Sequence, residues 1–284
     1  MAPALSALGG IAVIIAALPT AGAHAGWWLL AGIAIAACVA PLGRRSTVDT
    51  GRAAKPLAYL EILGLAAAGG AVAGTVGLYL VIPWWALASA AVIVVGLFAA
   101  LASPDRLTVP LAAAVLIGLT VFVLTCVTIT PEQPVVVSGG GSAAGALVAA
   151  LACYPAFAVG RVLAAVVVGV TGAAVAAAAL HQMGAARFGL SRAPLRDAVV
   201  AADAGALHGF LAVVVVLAAA LTVTVLLKAV RATSAVVAPG DTPTMFAAVA
   251  MLMVCLAVPA RTSVLVAGGL LVVHHLGVIA VRPR

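Results

Sequence analysis

Along the chain, apolar runs of about twenty residues alternate with short clusters of glycine, proline and charge, a pattern that predicts bilayer-crossing helices. A hydrocarbon core about 30 Å thick takes roughly 20 residues of apolar helix. Read that way, the sequence gives ten segments: 4–23, 26–43, 57–82, 84–102, 108–130, 143–160, 162–183, 206–230, 243–259 and 263–281. The first two join tightly at His24-Ala25-Gly26, and the sixth and seventh part only at Gly160-Arg161. Thr130 to Ser142, with Pro131, Glu132, Pro134 and Gly139-Gly140-Gly141, is a linker near mid-chain. Two other connections are long, 44–56 and 184–205. The second holds an amphipathic stretch up to Asp203, which predicts a short helix lying at the membrane interface.

Composition fixes the solvent. Hydrophobic residues make up 66% of the chain and charged residues 7%, with no asparagine. A soluble domain is about a quarter charged, so this surface must face lipid. The fold class is therefore all-α integral membrane, with the lipid bilayer as its first partner. The net charge of +7 belongs to short loops beside apolar runs. There it orients helices and meets anionic headgroups, and no nucleic-acid partner is expected. With the N-terminus inside, the cytoplasmic side holds Arg44, Arg45, Arg52, Lys55, Arg106, Arg161, Lys228, Arg231, Arg282 and Arg284. The other side keeps Arg187, Arg192, Arg196 and Arg261. The positive-inside bias gives both termini in the cytoplasm and a multi-pass protein of the plasma (inner) membrane. Ala21-Gly22-Ala23 resembles a signal-peptide cleavage site, but no Lys or Arg precedes it, so this segment reads as a retained helix. Cys38, Cys126, Cys153 and Cys255 lie in four separate apolar runs, which supports no disulfide framework.

A linker at mid-chain invites a search for duplication. Pro104, Arg106 and Leu116 meet Pro259, Arg261 and Leu271 at one common offset, 155 residues, and each long loop follows the second segment of its half. Residues 1–130 and 143–284 then form two five-helix repeats joined by 131–142. Because five is odd, the second repeat enters the membrane from the opposite side, which is the inverted topology of many secondary transporters.

At these residues the chain resembles the drug/metabolite transporter superfamily, EamA-type. Pro104-Asp105-Arg106-Leu107-Thr108 is similar to the loop that precedes the last helix of each half in that family. In the second copy Ala260 replaces the acid and Arg261 keeps the base. Lys228 to Ala235, followed by Pro243, resembles the family's passage from the eighth to the ninth helix. The resemblance implies ten helices in two inverted repeats. A second resemblance is to amino-acid permeases. Ala229-Val230-Arg231 with Gly240-Asp241 is similar to their eighth helix, and Tyr154-Pro155-Ala156-Phe157 to their sixth. That family requires a first helix broken by a Gly-x-Gly, and Ala12-Val13-Ile14-Ile15 before Leu18-Pro19 supplies none.

Enzyme signatures are missing. There is no HExxH, GxSxG or Walker sequence, and six of the seven acids fall in loops, so no catalytic residue, metal or cofactor is expected. The exception among the acids is Glu61, about five residues inside the third segment. Intramembrane acids are costly, which makes Glu61 a gate or coupling candidate, although a helix N-terminus also favours an anion. Lys228, at a comparable depth in the eighth segment, is its expected ion-pair partner. Thr75, Tyr79, Tyr154, Pro155, Thr222 and Thr224 are cavity candidates, Pro155 because it frees a backbone carbonyl. Trp27, Trp28, Trp84 and Trp85 read as an interfacial belt. His274 and His275 point about 100° apart on one helix and cannot easily share a ligand.

The expectation is a secondary transporter or exporter of a small organic solute, with proton coupling and a homo-oligomer or partner subunit left open. The competing reading is a non-transporting membrane subunit that uses Gly69-Gly70, Gly74 and Gly77 to bind partner helices.

Overall fold

A computed structural model describes residues 6–44, 54–80, 82–102, 108–130, 141–159, 162–235 and 240–281. Outside them lie the loop at Pro104-Asp105-Arg106-Leu107, most of the 131–142 linker, the Gly160-Arg161 boundary, and Arg45, Arg52, Arg282 and Arg284. The described residues form eleven α-helices: α1 Ile11–Ala25, α2 Leu29–Arg44, α3 Ala54–Leu80, α4 Trp85–Ala102, α5 Thr108–Thr128, α6 Ala143–Ala158, α7 Val162–Leu190, α8 Pro194–Ala201, α9 His208–Ser234, α10 Thr242–Ala257 and α11 Ala260–Val281. A 3-10 turn, Ser6–Gly10, leads into α1.

Seven helical runs are long and apolar enough to cross a membrane, with α1 and α2 counted together in the run Leu8–Leu42. The apolar helices α6 and α10 are shorter. At 16 residues each, they span about 24 Å. The chain is a multi-pass helical membrane protein.

Helix ends follow local chemistry. Ser142 caps α6, its hydroxyl accepting from the Gly145 amide at 3.0 Å. Gly26, at φ 52°, reverses the chain between α1 and α2. Gly184, at φ 72°, breaks α7 where the predicted seventh segment ends. Helix then resumes to Leu190, replacing part of the expected loop. Gln182 on α7 donates to the carbonyls of Cys126 and Ile129, so it satisfies the C-terminal end of α5 from a neighbouring helix. The amphipathic stretch is α8, but Pro194, Leu195, Ala198 and Val199 are buried. Its apolar face packs on α7 and α5, where an interfacial helix would turn that face to lipid.

Close approaches at small residues give the helix directions. Gly10 abuts Ala156, and Gly145 abuts His24, so α1 runs antiparallel to α6. Gly141 meets Gly26 and Gly32 meets Ala149, so α2 runs parallel to α6 and opposite to α1. α6 lies between the two, which is why a tight hairpin leaves α1 and α2 with little mutual contact. α3 runs parallel to α10 through Gly69–Met251 and Gly74–Cys255, and antiparallel to α11 through Gly64–Leu271 and Gly277–Leu57.

The packing has an exchange pattern. α2 packs on α6 and α7 on α1; α3 packs on α10 and α4 on α9; α3 packs on α11 and α9 on α5. α1–α6 and α3–α9 are central pairs. Exchanging α1 with α6, α2 with α7, α3 with α9, α4 with α10 and α5 with α11 carries the two members of each of the first three pairings into one another and the central pairs onto themselves, whereas the α6–α11 packing has no comparable counterpart among the described residues. The pattern reaches single residues. The 155-residue offset carries the Gly69–Met251 contact onto Thr224–Gly96, and Gly96 does sit against Val223 and the Thr224 amide.

α1 occupies the centre, buried from Leu8 through Gly22. Trp27, Trp28, Trp84 and Trp85 are exposed together at one end of the bundle. Among the described residues the opposite end carries Arg44, Lys55, Lys228 and Arg231 against Arg187, Arg192, Arg196 and Arg261 at the tryptophan end; it is called the basic end after its two lysines.

Candidate functional site

Two features break the apolar interior. The first is a cavity of about 640 Å³ at the tryptophan end. Ala16 and Pro19 of α1, Thr75 and Leu78 of α3 and Trp85 of α4 form one wall. The break between α10 and α11 (Cys255 to Arg261) and Arg192 form the other. Polar loop contacts fix its rim. Arg261 donates to the Ser191 carbonyl at 3.1 Å, Arg196 donates to the Leu78 carbonyl at 3.2 Å, and the Ser191 hydroxyl donates to Asp197 at 2.6 Å. The loop before α8 is thus tied to the start of α11, and α8 itself to the end of α3.

The second feature is a chain of ionisable side chains toward the basic end. His274 Nδ1 donates to the Leu57 carbonyl at 2.8 Å, and its Nε2 faces Glu61 Oε2 at 3.7 Å. The neighbouring His275 takes Tyr154: the hydroxyl lies 2.5 Å from Nδ1. The two imidazole centroids are 5.2 Å apart. Three helices contribute, α3 with Leu57 and Glu61, α6 with Tyr154, and α11 with both histidines. Adjacent helical positions diverge by about 100°, so each histidine addresses a different neighbour.

Pro155 accounts for the close fit of α6 on α11. It has no N–H to offer the Leu151 carbonyl four residues back. That carbonyl faces Gly268, where any Cβ would collide with it. Gly268 is therefore the complement of Pro155 on the facing helix.

The predicted residues scatter between these features. Tyr154 and Glu61 enter the polar chain, and Thr75 lines the cavity while its hydroxyl bonds back to the Ala71 carbonyl at 2.8 Å. Tyr79 is buried, with its hydroxyl directed at the Leu195 backbone. Thr222 and Thr224 are buried on α9 away from the cavity lining; Thr224 bonds back to the Ala220 carbonyl at 2.8 Å, and the Thr222 hydroxyl is unbonded. Lys228 is half-buried near the C-terminal end of α9. The partner that faces Glu61 is His274.

Sequence reasoning named both histidines but gave them no place in the site, and it did not foresee the placement of Arg192 and Arg261 at the cavity. A signal for the histidines was present. Two adjacent ionisable residues in an apolar helix must each find a partner, and their divergence sends them to two different helices.

Neither a protein-family model nor a curated protein sequence matches this chain.

Proposed function

We propose that this protein is a secondary transporter or exporter of a small organic solute in the plasma membrane, working by alternating access. It has ten crossings in two inverted five-helix repeats, residues 1–130 and 143–284, with the basic end and both termini in the cytoplasm. One observation carries the reading: the cavity at the tryptophan end is walled by both halves of the chain and reaches the central helix α1 at Ala16 and Pro19. A site at the interface of two related halves is what alternating access requires. The exchange pattern supports the repeats, and the opposed directions of α1 and α6 support their inversion.

The subunit reading loses its main argument. Gly69 and Gly70 are buried against Met251 and Val254 of the same chain, and Gly74 and Gly77 line the cavity, so little of that face is left for a partner helix. Between the two family resemblances, one observation favours the permease-like form. The chain passes from the 3-10 turn into α1 at Gly9-Gly10, and Gly10 brings α1 against the Ala156 carbonyl in Tyr154-Pro155-Ala156-Phe157. Gly9-Gly10 is an adjacent pair and not the Gly-x-Gly of that resemblance, so the match is partial.

Reconstituted vesicles should take up a solute from a mixed pool of small organic metabolites. Thr75→Trp, which fills the cavity, should abolish uptake while the protein still reconstitutes. Uptake by Thr75→Trp equal to the wild type would remove the cavity from the transport route, and the proposal with it.

A further inference from the structure

We propose that Glu61, His274, His275 and Tyr154 form an intramembrane proton-binding chain, with one proton held between His274 Nε2 and Glu61 Oε2. The inference rests on the transport reading only in making this the coupling proton; the site itself follows from geometry.

The geometry favours a proton at this contact. The Leu57 carbonyl can only accept, so His274 Nδ1 must carry hydrogen. A neutral His274 then presents a bare lone pair at Nε2, opposite a carboxylate oxygen 3.7 Å away. Two acceptors facing each other in a largely dehydrated site repel. One added proton turns the contact into imidazolium against carboxylate, or imidazole against carboxylic acid, and removes the repulsion. The pair is stable as a unit that holds one proton.

Access is graded along the chain. The Glu61 side chain is 20% exposed and that of His274 11%. His275 and Tyr154 are 6% and 5% exposed as whole residues. A proton therefore enters at Glu61 and meets progressively drier partners. At the far end, the Tyr154 hydroxyl and His275 Nδ1 share one hydrogen, and either group can carry it.

The site also spans the two halves, since Glu61 belongs to the first and His274, His275 and Tyr154 to the second. Loss of the proton weakens the α3–α11 contact at the basic end, opposite the open cavity. Among the described residues, the other ionisable groups on the helices packed around the site are Lys55, Tyr59 and Tyr79 on α3, Cys153 on α6, Arg261 at the start of α11, Cys38 and Arg44 on α2, and His24 at the far end of α1. Around α3, Lys228 and Arg231 lie at the basic end of α9, and Arg231 pairs with Asp241 before α10 at 2.9 Å.

Protein labelled with nitrogen-15 histidine in lipid nanodiscs tests this by NMR of the ring nitrogens, which separates a bare nitrogen from one that carries or accepts a proton. In the wild type, the His274 Nε2 signal should be that of a proton-bearing or hydrogen-bonded nitrogen. Glu61→Gln keeps the shape and removes the carboxylate, and should change the His274 Nε2 signal. Tyr154→Phe should alter the His275 signal and leave that of His274 in place. A bare His274 Nε2 in the wild type, or a His274 signal identical in wild type and Glu61→Gln, overturns the proposal. If the ring signals behave as expected but vesicles accumulate no solute, the transport reading fails and the proton site stands. If solute uptake is normal but indifferent to pH in both wild type and Glu61→Gln, the coupling role is overturned.

Discussion

Tyr154 and His275 are joined by a 2.5 Å hydrogen bond that ties the last turn of α6 to α11. Both side chains are buried. The partners come from helices that run side by side in the same direction, because Gly268 on α11 lies against Leu151 on α6, earlier along both helices than the His275–Tyr154 contact.

Tyr154→Phe leaves His275 Nδ1 facing a ring edge. An unpaired buried polar group costs about 1–3 kcal/mol, so the variant should unfold at a clearly lower temperature in detergent. A melting temperature equal to the wild type would mean that the bond contributes nothing to packing.

The glycines of α3 separate packing from exposure. A Cβ at Gly70 would stand 2.7 Å from the Val254 side chain, whereas nothing lies within 4 Å at Gly269 on α11. Gly70→Val should destabilise by about 1–3 kcal/mol through overpacking. Gly269→Ala should be neutral or slightly stabilising, as a helical Gly-to-Ala change is. Thermal unfolding followed by size-exclusion recovery compares them; equal behaviour would contradict the packing described.

Gln182 holds the end of α5 through the Cys126 and Ile129 carbonyls. Gln182→Leu keeps the volume but leaves two end carbonyls unsatisfied inside the bundle. The expected loss is about 1–3 kcal/mol, with faster amide exchange confined to the last turn of α5. Exchange unchanged in that turn would show that the glutamine is not its cap.

Topology has its own measurement. Ala257 is exposed at the cavity rim, and Tyr59 is exposed toward the basic end. In a cysteine-free background, Ala257→Cys in intact cells should react with a membrane-impermeant maleimide, and Tyr59→Cys should react only in inverted vesicles. Labelling of both from one side would contradict the proposed crossings.

By itself the sequence determined that this is a helical membrane protein, and roughly where its helices lie. So little charge admits no other solvent, and Gly, Pro and Arg punctuate the runs at places the structure respects, such as Gly26 and Gly184. The 155-residue offset between Pro104 and Pro259 also relates the Gly69–Met251 contact to the Gly96–Thr224 contact. Two of the chemically suspect residues, Glu61 and Tyr154, were also legible, because an intramembrane acid and a tyrosine beside a helical proline are unusual in any context. Their partners were not. That Glu61 meets His274 depends on which face α11 turns toward α3, and glycines 64 and 277 set that register through close packing no local pattern encodes. The cavity was equally hidden, because it arises where α1, α3 and the α10–α11 break fail to fill space together. Helix existence is a property of one segment and its solvent; partnership between helices is a property of several surfaces at once, and only the tertiary structure decides it.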